Sequence, residues 1–123
     1  FNLTLPIKCM LQLSIADEET KYGMTLEEAD ALLQSEEYRQ MKYIQITGVM
    51  GIATNTDDEQ KLRSEFRYLR ECYDQLKEKF FFSTNDFEEI SMGMTSDWRI
   101  ALEEGSTMIR VGSGIFGSRN YNR

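Results

Sequence analysis

A chain of 123 residues that is 41% hydrophobic and 11% aromatic can bury one core, and it fits an ordered globular domain rather than a disordered one. Its formal charge of −7 excludes a phosphate-neutralising nucleic-acid surface, and the absence of histidine removes the usual general base and the commonest metal ligand. No apolar run reaches the length of a membrane span, and the N-terminus carries no charged-then-apolar leader. Cys9 and Cys72 form no C-x-x-C pair, so they read as free thiols of a cytoplasmic protein and no metal is expected. A single domain over 1–123 follows, and any chemistry has to come from a cofactor, a lysine or carboxylates.

Ile7 to Ile15 is dense in apolar residues, with Lys8, Gln12 and Ser14 at alternate positions, and predicts a strand covered on most of both faces. After the polar loop Asp17 to Gly23, Thr25 and Glu28 form a capping box. Leu26, Ala29, Leu32 and Leu33 then share one face, so the spacing predicts a helix to about Glu37. Tyr43 to Ile52 predicts a second strand, with Gly48 and Gly51 where the backbone passes close to a neighbour or a ligand. Asp57, with Gln60 three residues on, predicts the cap of a long helix to about Phe80, whose buried face is Leu62, Phe66, Leu69, Tyr73 and Leu76. Phe80-Phe81-Phe82 is expected to pack that helix end into the core. Asp86 to Met92 and Thr107 to Val111 predict the third and fourth strands. A helix from Asp97 to Glu104 joins them, stopped by Gly105, with Trp98 and Ile100 to Leu102 on its buried side. Strands alternating with helices mean parallel strands and right-handed crossovers.

The third and fourth strands both stop at small residues, Gly93-Met94-Thr95-Ser96 and Gly112-Ser113-Gly114. Glycine lets backbone amides approach an anion, Ser or Thr adds a neutral donor, and Arg110 adds a fixed cation, which together is the composition of a phosphate cradle. On composition alone the same glycines and serines serve equally well as turn residues, and Arg110 as an ion-pair partner. Gly112 to Gly117 also spells G-x-G-x-x-G. A dinucleotide site, however, needs a following helix, another strand and an acidic residue roughly twenty positions on, which the remaining residues do not supply. Asp17, Glu18 and Glu19 are consecutive carboxylates that point different ways on a loop, so solvation accounts for them better than a metal does.

Taken in order and spacing, Ser91 to Asp97, Glu104-Gly105-Ser106-Thr107, Arg110 to Ser113 and Ile115-Phe116-Gly117 resemble the pyridoxal-phosphate homeostasis proteins. Those are fold type III barrels of the alanine-racemase N-terminal-domain type. Gln12 to Gly23 and Gly48 to Ile52 also resemble family segments, so the resemblance spans the chain but only the C-terminal half of a family member. It implies an α/β fold, the parallel (βα)4 half of a TIM (β/α)8 barrel, with a phosphate site in the loops after the last two strands. It also implies that Ser91, Gly112 and Ser113 hold the phosphate of pyridoxal 5′-phosphate, with Gly93 in the same cradle. Arg110 would face the pyridine nitrogen and keep it unprotonated, because a second cation beside it is costly.

Departures from the commoner pattern are Ser113 where threonine is usual, Thr95 where serine is usual and Ser14 where asparagine is frequent. Lys21 matches a lysine-glycine pair of the family loop and otherwise reads as solvated charge. The family's Schiff-base lysine lies on the first strand of the barrel, and none of Lys8, Lys21, Lys42, Lys61, Lys77 or Lys79 matches its motif. The implied function is pyridoxal-phosphate binding and homeostasis, as a carrier or buffer. The alternatives are part of an amino-acid racemase, which would add a mostly β domain with a catalytic tyrosine, or a half-barrel that only associates. Four strands cannot close a barrel of about eight. Unpaired edges and wet inner rows of Leu, Ile and Met are therefore expected, covered by the N-terminal half of the barrel or a second copy. A start at Phe1 without methionine fits a fragment.

Overall fold

The computed structural model describes residues 6–17 and 22–112. Glu18, Glu19, Lys21, Ser113 and Gly114 to Gly117 lie outside the described residues. The elements alternate as β1 (Ile7–Gln12), α1 (Leu26–Gln34), α2 (Glu36–Arg39), β2 (Ile44–Met50), α3 (Glu59–Phe80), β3 (Glu89–Met94), α4 (Trp98–Glu103) and β4 (Met108–Arg110). All strand pairs are parallel, in the order β1-β2-β3-β4. This is an α/β half-barrel.

Local chemistry explains most boundaries. The capping box forms as expected: the Glu28 amide donates to Thr25 Oγ1 at 3.1 Å, and the Thr25 amide donates to Glu28 Oε1 at 3.0 Å. The helix does not reach Glu37 unbroken. Ser35 adopts extended backbone, its hydroxyl donates to Leu32 O at 2.6 Å and accepts from the Tyr38 amide at 3.1 Å, so one residue ends α1 and caps α2. The cap of α3 is Asp58 rather than Asp57, its Oδ1 accepting from the Gln60 and Lys61 amides at 3.1 and 3.2 Å. Leu62, Phe66, Leu69, Tyr73 and Leu76 are buried along α3 as predicted, and Cys72 and Glu65 join them.

The phenylalanine run divides. Phe80 and Phe81 are half-buried, while Phe82 is 77% exposed. Phe81 stacks on Phe87 at 4.2 Å, and Phe87 stacks on Tyr73 at 5.0 Å. Phe87 O accepts from both Tyr73 Oη and Lys77 Nζ at 2.8 Å. Phe87 is thus spent on packing the turn, which is why β3 starts at Glu89 instead of Asp86. On α4 only Ala101 is buried; Trp98 and Ile100 are half-buried and Leu102 is 46% exposed. A helix of six residues offers the sheet little more than one position.

The helices cover one face of the sheet, where Leu11, Leu13, Ile46, Val49, Ile90 and Met92 meet the α3 stripe. The other face carries a cleft of about 460 Å³ lined by Lys8, Met10, Gln45, Thr47, Glu89 and Met108 among others. Of the expected inner rows of Leu, Ile and Met, the described residues lining this cleft include only methionines, Met10 and Met108. The large aliphatics are committed to the helix side, and methionine alone represents them in the cleft. Among the described residues, β1 and β4 each have one unpaired edge.

Candidate functional site at the C-terminal ends of the strands

Side chains alternate along a strand, so the cleft-lining Glu89 and Met108 place Ser91 and Arg110, two residues on, over the same inner face. Ser91 is 3% exposed and pairs at Cα with both Met50 and Met108. Arg110 is partly exposed, yet its Nε and Nη2 are buried and have no hydrogen-bond partner among the described residues. Each buried donor left unpaired costs about 1–3 kcal/mol, and more on a charged group, so this guanidinium is poised for an acceptor. Gly112, next but one, is exposed, with no atom of the described residues within 4 Å of the place a side chain would take. The sheet thus gathers a buried hydroxyl residue, an unpaired guanidinium and an open backbone at the same end.

Gly93 lies at the same end, next to Met94 that pairs with Arg110, but the side a Cβ would take faces α4. Its φ is +106°, and a Cβ on it would lie 2.8 Å from Ala101 Cβ and 3.3 Å from Trp98 Cα, so glycine is needed for β3 to swing past α4. The turn that follows is closed on itself. The Met94 amide donates to Asp97 Oδ1 at 2.7 Å and the Asp97 amide to Met94 O at 3.1 Å. Of the two expected cradles, the one at Met94 to Ser96 therefore has its first amide occupied by a carboxylate.

A second hydrogen-bonded group escaped the sequence. Glu65 is buried on α3, and its Oε1 and Oε2 accept from the Thr54 amide and hydroxyl, both at 2.7 Å. Thr54 Oγ1 in turn accepts from the Asp17 amide at 2.9 Å, and Lys61 pairs with Asp17 at 3.0 Å. The loops after β1 and β2 are thereby tied together beside a cleft of about 430 Å³ bounded by Ile52 to Asn55 and Met94 to Asp97. One signal was available: Glu65 follows Leu62 and precedes Phe66 and Leu69 on the apolar face of α3.

Residues 2–120 match the alanine racemase N-terminal domain family. The chain belongs to that family. It is similar to the pyridoxal phosphate homeostasis protein of Haemophilus influenzae, 35% identical over 117 residues that make up 95% of this chain and 48% of the relative. The protein of the same name from Pasteurella multocida is 30% identical over 96% of this chain and 49% of its own. Among solved structures, PipY of Synechococcus elongatus with PLP bound superposes with a TM-score of 0.78 at 30% identity, covering 94% of this chain and 51% of PipY. The chain spans about half the length of the curated relatives it matches.

In this member of the alanine racemase N-terminal domain family the described lysines are otherwise engaged or remote. Lys61, Lys77 and Lys79 are held by Asp17, Phe87 O and Asp30. Lys8 lies at the opposite, N-terminal end of the inner face, and Lys42 sits in the loop before β2. Among the described residues no group of three or more Cys, Asp or Glu is placed to hold a metal, and no helix is long and apolar enough to cross a membrane.

Proposed function

We propose that the chain binds pyridoxal 5′-phosphate as the phosphate-holding half of a cofactor carrier in pyridoxal-phosphate homeostasis. The observation that carries this reading is the pair of buried, unpartnered Arg110 nitrogens on the inner face beside Ser91. An aromatic ring nitrogen is an acceptor that suits them. The relatives named for pyridoxal phosphate homeostasis and the PLP-bound PipY structure support it.

In this reading Ser91, Gly112 and Ser113 take the phosphate through hydroxyls and backbone amides, and Arg110 donates to the pyridine nitrogen. Gly93 acts at one remove, by setting the path of β3. The bound cofactor supplies an electron sink, and a guanidinium at the ring nitrogen keeps it unprotonated and so weakens the sink. A carrier tolerates that better than a racemase does. The N-terminal half of the barrel closes the inner face and the two open edges, and it brings the lysine that holds the cofactor covalently; relatives about twice as long support this over closure by a second copy. The free thiols Cys9 and Cys72 support a reducing, cytoplasmic setting.

Calorimetric titration with pyridoxal 5′-phosphate tests the site. Arg110→Ala is expected to weaken binding by about tenfold or more, the size of one charged hydrogen bond, and Lys21→Ala by much less. The opposite order would place the cofactor elsewhere. Borohydride reduction and peptide mapping are expected to show no single lysine labelled stoichiometrically in this chain.

A further inference from the structure

We infer that Ser106 is a positioning residue that aims Arg110, a role that rests on the pyridoxal-phosphate reading above only for its effect on cofactor. The strand carrying Arg110 is three residues long and meets β3 at just two Cα-paired positions, Ser91 with Met108 and Met94 with Arg110. Three steps along β3 therefore match two along β4, so the ladder is irregular exactly where Arg110 must be placed. Among the described residues no side-chain partner steers the buried Nε and Nη2. The direction of the guanidinium thus depends on where β4 lies.

Two hydroxyls in the turn before β4 fix that position. Ser106 Oγ lies 2.7 Å from Met92 O, 2.9 Å from Met108 O and 3.3 Å from Ile90 O, so its one proton is shared among carbonyls of both strands. Thr107 Oγ1 accepts from the Ile90 amide at 2.8 Å and donates to Glu89 Oε2 at 2.9 Å, while the Thr107 amide donates to Ile90 O at 2.9 Å. Side chains here do what a longer ladder would otherwise do. Behind the turn, Glu104 is held by Arg63 and Arg67, each at 3.2 Å, which anchors the turn on α3. Of these links the Ser106 hydroxyl alone touches a carbonyl inside the irregular step, Met92 O, as well as one on the facing strand, Met108 O, and it lies four residues before Arg110.

The test compares Ser106→Thr and Ser106→Val, which have nearly the same shape and differ in the hydroxyl. The first readout needs no cofactor: exchange of the Arg110 Nε–H proton in ¹⁵N-labelled protein, assigned through Arg110→Lys. Ser106→Val is expected to speed this exchange about tenfold while Ser106→Thr stays within about threefold, as local opening around a buried group would dictate. The second readout is the ¹⁵N shift of labelled pyridoxal 5′-phosphate, expected to move toward the protonated pyridine only in Ser106→Val. Unchanged exchange in Ser106→Val, or equal change in both variants, overturns the assignment. If Ser106→Val does not fold, Ser106→Ala is read the same way. If neither folds, the hydroxyl serves general stability and the positioning role falls. Failure of the wild-type chain to bind pyridoxal 5′-phosphate would defeat the proposed function, and the exchange comparison would still decide the role of Ser106.

Discussion

Gly48→Ala is the sharpest test of how the sheet is built. A Cβ at Gly48 would lie 1.9 Å from Glu89 O, 2.6 Å from Glu89 C and 2.8 Å from Glu89 Cα. All three are backbone atoms of β3, so no rotamer change relieves the clash, and the two strands must part by at least about 1 Å to restore normal contact. β2 and β3 meet at only three positions, Gly48 with Glu89, Val49 with Ile90 and Met50 with Ser91. The opening would loosen hydrogen bonds worth about 1 kcal/mol each and the contact of Val49 with Ile90, both buried. Replacing glycine by alanine returns about 0.5–1 kcal/mol through the unfolded chain. The net expectation is a loss of roughly 3–4 kcal/mol, a large share of the about 5–15 kcal/mol that holds a domain together. Urea unfolding followed by circular dichroism measures it, with Gly112→Ala as the comparison, expected within about 0.5 kcal/mol because no atom of the described residues lies within 4 Å of the added Cβ. A Gly48→Ala midpoint equal to wild type would mean that β2 and β3 are not in this register.

Other outcomes follow from the charge and thiol environments. Hydrogen bonds from Arg67, then from Arg63, hold the Glu104 carboxyl below its ordinary value against the opposing effect of burial. Its folded pKa is depressed, so its stabilisation is present above the unfolded value near 4.5 and is lost as pH falls from about 5 through the lower folded value. Glu104→Gln should flatten the acid limb of urea stability while lowering stability at neutral pH; an acid limb as steep as wild type would refute the assignment. Burial pushes the Cys72 thiol up, opposed by a hydrogen bond with Tyr68, whereas Cys9 is only half-buried. A thiol reagent at neutral pH should therefore modify Cys9 in the native chain and Cys72 only on unfolding, and equal rates would show that the α3 stripe is not packed as described.

Element order and the helix-facing core were legible because they depend on short-range patterns. The Thr25 and Glu28 box, the α3 stripe from Leu62 to Leu76 and the four apolar runs each involve residues within a few turns of one another. The misses came where two neighbouring residues qualify equally or where a local side chain overrides periodicity. Asp57 and Asp58 are equivalent in sequence, and only the path of the first turn selects Asp58. The apolar pattern runs on through Ser35, whose hydroxyl nevertheless ends one helix and starts the next. Phe87 has strand character but is claimed by the rings of Tyr73 and Phe81.

The site was legible as a set of residue types and not as a geometry. Arg110 stood out because a cation in a short apolar strand demands a reason, and its buried Nε and Nη2 have no hydrogen-bond partner among the described residues. What the residue types hide is which side of the backbone each one serves. Ser91 and Gly93 are two residues apart on one strand, yet Ser91 lies over the inner face while Gly93 makes room for α4. Ser106 and Thr107 have the composition of a turn, yet their hydroxyls bond residues 14 to 18 positions away on the neighbouring strand. The motif Glu104-Gly105-Ser106-Thr107 spends its side-chain hydrogen bonds on α3 and on the two last strands. Under the proposed function, substitutions in it should act on binding through Arg110 rather than by removing a contact of their own.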